Sequence, residues 1–387
     1  MRSTFFALAA AALLLGACDS GPTPTTAPPP PAPKPQVGSL TTPSGKLRIA
    51  LLLPLSGRAA PTGQAMQQAA EMALFDTGAN DIALAAYDSG ETADSAVQAY
   101  GKARAEGAAL VLGPLFGPSA TALAPIVTRG GANVIAFSND ENAAQPGVWV
   151  MGIAAPPQVR RVVDQAVRAG IKRFAALAPR TAYGEQMTRT LESHVAVRGG
   201  EVVAAELYEE GAELSAAAKR LAAVVKGDGK LAILVPVAPP RLAAALAALT
   251  AAGIDSASVQ LIGTGVWDIP GIGADTALRG AWYAAPDPAK RADFERRFVS
   301  TYGRPPLRLA TLAYDAVMLA GKLARLKPGG DFTAEAITNP NGWSGVDGAF
   351  RFLPDGRTDR ALSVIEVQGD RNIVVSPAPG SFVSNTN

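Results

Sequence analysis

One cysteine and one histidine restrict the chemistry open to this chain. Cys18 and His194 lie in different segments, so a disulfide within the chain, a Cys/His zinc cluster and a Cys–His nucleophilic pair are all excluded. The sequence has no G-x-G-x-x-G, Walker or H-E-x-x-H pattern; the run GTGVWDIPG lacks the third glycine, and Pro270 blocks an immediate helix. With no nucleophile–base pair in view, neither an enzyme nor a cofactor is expected. Polar residues that follow apolar runs are the better candidates: Ser56 beside Gly57, Ser119, Ser138 and Asn139, Tyr183, and Asp268 behind Trp267. Donors such as Ser119, Ser138 and free backbone N–H groups suit a carboxylate, Asp268 suits an ammonium group, and Trp267 offers an apolar wall. Each has a plainer role open to it: Ser56 as a turn residue, Ser119 as a helix cap, Tyr183 as a surface turn, Asp268 as a loop cap. His194, near a helix C-terminus, reads as structural or solvent-facing.

Cys18 has another use. Residues 1–18 read MRSTFFALAAAALLLGAC: a cationic start, an apolar run over 5–15, and small residues before the thiol. Eleven apolar residues are too few to span a bilayer, which takes about 20, and fit the core of a signal peptide. Leu15-Gly16-Ala17-Cys18 resembles the lipobox of bacterial lipoproteins, which implies cleavage after residue 17 and acylation of Cys18. Acyl chains would then tether the protein to the periplasmic face of a bacterial membrane, inner or outer, at roughly 0.8 kcal/mol per buried CH₂. Residues 18–45 hold nine of the 31 prolines and read as a semi-rigid spacer; residues 378–387 read as a flexible tail.

The 387 residues suggest two domains or three, and 48% hydrophobic content is ample for a large core. A formal charge of +2 gives no electrostatic case for a nucleic-acid partner, and 6% aromatic residues is low for a stacking surface. From residue 46 onward, short apolar runs alternate with helical segments. Strands are expected over 47–53, 82–88, 109–115, 133–138 and 148–153, with helices over 63–75, 92–106 and 119–129 between them. The rhythm restarts with helices over 157–169, 184–197, 214–225 and 240–252, and strands over 172–179, 201–208, 230–237 and 258–267. Two helices, 288–302 and 307–327, and short antiparallel strands over 345–376 complete the chain. The pattern implies an α/β fold of two doubly wound parallel-sheet lobes. In such sheets ligands sit outside the carboxyl ends of the strands, which is where the candidate residues fall.

LRIALLLPLSG (47–57), LGPLFGPSATALAPI (112–126), AYGEQM (182–187), YGRPP (302–306) with ATLAYDAVMLA (310–320), and GVDGAFRFLPDGR (345–357) occur in the order seen in type I periplasmic binding proteins of the leucine/isoleucine/valine-binding class. The chain resembles that family over about residues 46–375. IGTGVWD (262–268) and RGAWYAAPDP (279–288) look most like its penicillin-binding-protein activator lipoproteins. The resemblance implies three crossings between lobes, placed near Ile153, Ala285 and Trp343. Lobe one is then 46–152 plus 286–342, and lobe two 153–285 plus 343–377. It also implies that Tyr183 faces the interlobe cleft. Phe116 and Phe137 are bulkier than the matching loops of amino-acid binders and are expected to fill the cleft. Two roles follow from the resemblance: a non-enzymatic activator of a penicillin-binding protein, or a receptor passing an amino acid or small amide to an ABC permease.

Overall fold

β1 (Leu47–Leu53) is apolar at six of its seven positions, and a run of that kind needs cover on both faces. It lies inside a five-stranded parallel sheet of order β2-β1-β3-β4-β5, with β2 (Ile82–Asp88), β3 (Leu110–Leu112), β4 (Val134–Ala136) and β5 (Val148–Val150). β2, on the edge, is buried at Ile82 and Tyr87 and part-exposed or exposed at its other positions. The connecting helices are α1 (Ala60–Asp76), α2 (Ala93–Ala105) and α3 (Gly117–Thr128). α1 covers one face of the sheet; α2 and α3 cover the other. The computed structural model describes residues 45–379 and 382, apart from 79, 210, 228 and 370. Cys18, the signal peptide, most of the spacer and most of the tail lie outside the described residues.

The second lobe repeats the arrangement. α4 (Ala155–Arg168), β6 (Arg173–Pro179), α5 (Ala182–Val197), β7 (Glu201–Tyr208), α6 (Ala212–Val224), β8 (Leu231–Leu234), α7 (Arg241–Ala251), β9 (Gln260–Gly263) and β10 (Trp282–Ala285) follow one another. The parallel order β7-β6-β8-β9-β10 is that of lobe one, with the apolar β6 again inside. α4 and α5 cover one face, α6 and α7 the other. The strand expected over 258–267 stops at Gly263; residues 265–267 turn into a 3-10 helix that points Trp267 into the core. β10 was not expected as a strand.

The chain then returns to lobe one. Asp287 caps α8 (Pro288–Tyr302) by accepting from Ala289 N, Pro288 fits the first turn, and Gly303 ends it at φ 69°. α9 (Ala310–Ala324) is buried on nearly every side beside α1, as an all-round apolar helix must be. After α10 (Ala334–Ile337) come β11 (Trp343–Gly345), β12 (Gly348–Phe352) and β13 (Thr358–Arg360), an antiparallel three-stranded sheet. β14 (Ser363–Gln368) and β15 (Arg371–Ser376) extend the lobe-two sheet antiparallel to β10.

This corrects the third crossing. Residues 343–360 belong to lobe one, because Phe350 and Phe352 fill its core with Trp343 packed alongside. The sheet is also bonded to β5: Trp149 Nε1 donates to Leu353 O at 2.9 Å, and Thr358 Oγ1 donates to Val150 O at 2.6 Å. The chain changes lobe between Arg360 and Ser363, so lobe two keeps only β14 and β15 from this segment.

Candidate functional site

The carboxyl ends of both parallel sheets face one cavity of about 410 Å³. Lobe one contributes the loop after β3 (Leu115, Phe116), the loop after β4 (Phe137, Ser138, Asn139) and the approach to α9 (Arg308, Leu309, Leu312). Lobe two contributes Gln158 of α4, Tyr183 of α5, and Gly265, Val266 and Asp268 after β9. Two crossings, at Gly152 and Ile153 and at Ala285 and Pro286, form its back. Gly152 is required there: a Cβ would lie 2.4 Å from Ser138 O.

Of the residues singled out from the sequence, Ser138, Asn139, Tyr183 and Asp268 line this cavity. Ser138 is buried, and its Oγ accepts from Asp140 N at 3.0 Å. Asn139 is exposed at the wall. Tyr183 Oη and Thr264 Oγ1 share a hydrogen bond of 2.7 Å, and burial raises the phenol above its ordinary value.

Three of the candidates do not line this cavity. Ser56 is exposed and joins a turn network around Asp88, whose carboxyl accepts from Leu55 N and Gly90 N and is held low by the Ser56 bond. Ser119 does not cap α3, which starts two residues earlier behind Phe116; it is buried and donates to Thr92 O at 3.2 Å. Trp267 is fully buried, donates to Val237 O at 2.9 Å and meets Tyr283 edge-on, so it is lobe-two core. Phe137, at 2% exposure, belongs to the lobe-one core and lines the cavity together with half-buried Phe116, neither of them filling it. His194 bonds Asp164 at 2.7 Å beside Arg198, tying α5 to α4.

Asp268 is held by the opposite lobe. Arg291 Nη1 donates to its Oδ2 at 3.2 Å, and Arg308 Nε lies 3.5 Å from the same oxygen. Both arginines belong to lobe one, so this pairing bolts the lobes together across the cleft. Asp268 and Arg291 are each only 14% exposed, which places the bolt in a weakly screened setting. Arg308 also donates to Asp347 at 2.9 Å, and Thr311 donates to the same carboxylate at 2.6 Å. Burial works to raise the Asp347 carboxyl, but the Arg308 charge and hydrogen bond outweigh it and hold it below the usual range. Burial alone would lower Arg291; Asp268 and Glu295 hold it up.

Deeper in lobe one, Asp315 of α9 accepts from Val346 N at 2.7 Å, and a Cβ on Gly345 would lie 2.3 Å from its other oxygen. Burial first, then the Asp347 charge, pushes the Asp315 carboxyl up to about 7. Tyr314, beside it, donates to Asp76 at 2.7 Å.

Gln158, Arg291 and Arg308 were not anticipated. Gln158 is committed at both ends: its Nε2 donates to Ala154 O at 3.0 Å, and its Oε1 accepts from Gly265 N at 2.5 Å. The arginines did leave a signal. Arg291 falls in the first turn of α8 and Arg308 just ahead of α9, where the helix dipole disfavours a cation. A cation so placed calls for a carboxylate partner.

The sequence profile of the periplasmic binding proteins matches residues 46–372. The chain belongs to the periplasmic binding protein family. Membership implies a periplasmic location, and among the described residues no helix is long and apolar enough to cross a membrane. An uncharacterised protein of Rickettsia prowazekii is 24% identical over 168 residues, which is 43% of this chain and 45% of that protein. The chain thus matches less than half the length of that curated relative. A structure described as a candidate branched-chain amino acid ABC transporter from Rhodospirillum rubrum superposes with a TM-score of 0.75 at 21% identity, covering 85% of this chain and 100% of that one. An ABC-transporter solute-binding protein from R. palustris, solved with benzoate, gives 0.60 at 20% identity, covering 88% and 98%. At such identities the likeness carries the fold, here a periplasmic binding protein of two parallel-sheet lobes.

Proposed function

We propose that this periplasmic binding protein is a solute receptor that holds a small molecule, an amino acid or a small amide, in the interlobe cleft and presents it to an ABC permease. The observation that carries this reading is the cavity of about 410 Å³, walled by Leu115, Phe116, Leu309 and Leu312 and reached by polar groups from both lobes. The structural relatives point the same way, since one is described as a transporter of branched-chain amino acids and another was solved with benzoate. Lobe closure on a bound solute supplies the signal a permease reads. Acylation of Cys18 would keep the receptor beside that permease, with the proline-rich segment as its leash.

Binding to the native state alone raises the unfolding midpoint. A thermal-shift screen of amino acids and amides should give a positive shift that Leu312→Trp, which fills the cavity, abolishes. A shift that survives Leu312→Trp places the ligand elsewhere, and no shift with any compound removes the receptor role.

The bolt favours a second reading. Asp268, Arg291 and Arg308 join the lobes with the chain's own groups, so a closed shape can persist without a solute. A closed bilobal body on a lipid anchor suits a non-enzymatic regulator of a penicillin-binding protein. Co-purification of such a synthase with the full lipidated chain, together with a flat solute screen, would favour it.

A further inference from the structure

We infer that the cleft selects an uncharged, amide-bearing apolar solute and rejects free carboxylates and zwitterions; this narrows the receptor reading and rests on it. Two charged side chains face the cavity, Asp268 and Arg308, and each is already paired. A ligand carboxylate approaching Arg308 arrives beside the Asp268 carboxylate, which lies 3.5 Å from the same guanidinium. A ligand ammonium group approaching Asp268 arrives beside two guanidinium groups, those of Arg291 and Arg308. A zwitterion must part the Asp268–Arg308 contact and seat both of its ends in the gap, at the cost of a poorly solvated ion pair. An uncharged solute meets none of these penalties.

The rest of the wall fits such a solute. Leu115, Phe116, Leu309 and Leu312 offer an apolar bed for a ring or branched chain. Gln158 and Tyr183 are committed to Gly265 and Thr264. Asn139 and Ser138 are the exceptions: the Asn139 carboxamide, exposed on the wall, makes no hydrogen bond within the described residues, and the Ser138 hydroxyl accepts from Asp140 N and keeps its own proton to donate. A carboxamide carries both a donor and an acceptor, which is the complement of an amide. Asp268 thereby acts as a specificity residue, an internal stand-in at the place where a ligand carboxylate would otherwise bind Arg308.

Benzamide and benzoate have nearly the same shape and differ in charge; leucine supplies the zwitterion. Calorimetric titration of the full chain with these three probes should give benzamide an affinity at least about ten-fold above the other two. In Asp268→Asn the carboxylate beside Arg308 is gone, so the affinity for benzoate relative to benzamide should rise about ten-fold, any cost of lobe opening falling on both ligands alike. Asn139→Ala should weaken benzamide by about five-fold. Benzoate or leucine binding more tightly than benzamide to the wild-type chain overturns the inference and leaves the receptor reading standing. No heat with any probe, in wild type and in Asp268→Asn, overturns both. Should Asp268→Asn fail to fold by circular dichroism, the wild-type ranking decides alone.

Discussion

The two lobes share one strand order and build their sides of the cleft by different means. Lobe two presents short hydrogen-bonding groups that are locked by their own neighbours: Gln158 to Gly265, Tyr183 to Thr264, with Trp267 sealed into the core behind them. Lobe one presents apolar rings and branched chains backed by a chain of charges, Arg308 to Asp347 and on towards Asp315 and Arg360. The accessory strands differ in step. In lobe two, β14 and β15 simply widen the sheet, whereas in lobe one β11 to β13 form a separate sheet that brings Asp347 under the cleft. Topology therefore sets where the cleft lies, and the accessory segments set what it presents.

The sharpest way to break this contrast is to remove the inner member on each side. Asp347 has no exposed surface and anchors both Arg308 and Thr311, so Asp347→Ala leaves the part-exposed Arg308 and the buried Arg360 guanidinium short of a counter-charge. A loss of about 3–5 kcal/mol is expected in urea unfolding. Trp267→Ala, its lobe-two counterpart, should cost a similar 3–5 kcal/mol, roughly, through a cavity. The two should part with pH: acid should narrow the gap between wild type and Asp347→Ala, because the Asp347 carboxyl is held low and loses its contribution on protonation. A Trp267→Ala deficit that tracks pH in the same way would erase the distinction between a charged and an apolar support.

Asp315 and Asp164 sharpen it further, because their signs are opposite. Asp315 is raised from 3.8 to about 7, so its contribution is complete below the unfolded value and lost as pH rises through about 7. Burial acts to raise Asp164 in lobe two, but Arg198 and His194 outweigh it; its contribution is present above the unfolded value and lost as pH falls. Asp315→Asn should gain about 1–3 kcal/mol on wild type between pH 5 and pH 8. Asp164→Asn should show its largest deficit at neutral pH and approach wild type in acid. A smaller effect, about 1 kcal/mol, is expected for Tyr183→Phe, which leaves Thr264 without its 2.7 Å partner.

Much of this architecture could be read directly from residue patterns. The apolar runs of β1 and β6 mark inner strands covered on both faces, and the restart of the strand–helix rhythm marks the second lobe. What escaped was local. β10 follows β9 through short 3-10 turns and not through a helix, so it falls outside the strand–helix rhythm, and the Phe350 and Phe352 pair suits the core of either lobe. In the cleft, loops after strands pointed to Ser138, Asn139, Tyr183 and Asp268. The same rule brought in Ser56 and Ser119, because position after a strand does not reveal which way a side chain turns. Gln158, Arg291 and Arg308 come from helix beginnings, and only the unfavourable dipole at the two arginines hinted at the carboxylate between them.

Charges from both lobes, and not a solute alone, hold the cleft together. Small-angle scattering of the full chain without added solute, wild type against Asp268→Asn, is the decisive experiment. The radius of gyration should be larger in Asp268→Asn, and the difference should persist as salt is raised, because the 14%-exposed pair is weakly screened. Identical scattering from the two proteins at low and high salt would contradict the claim.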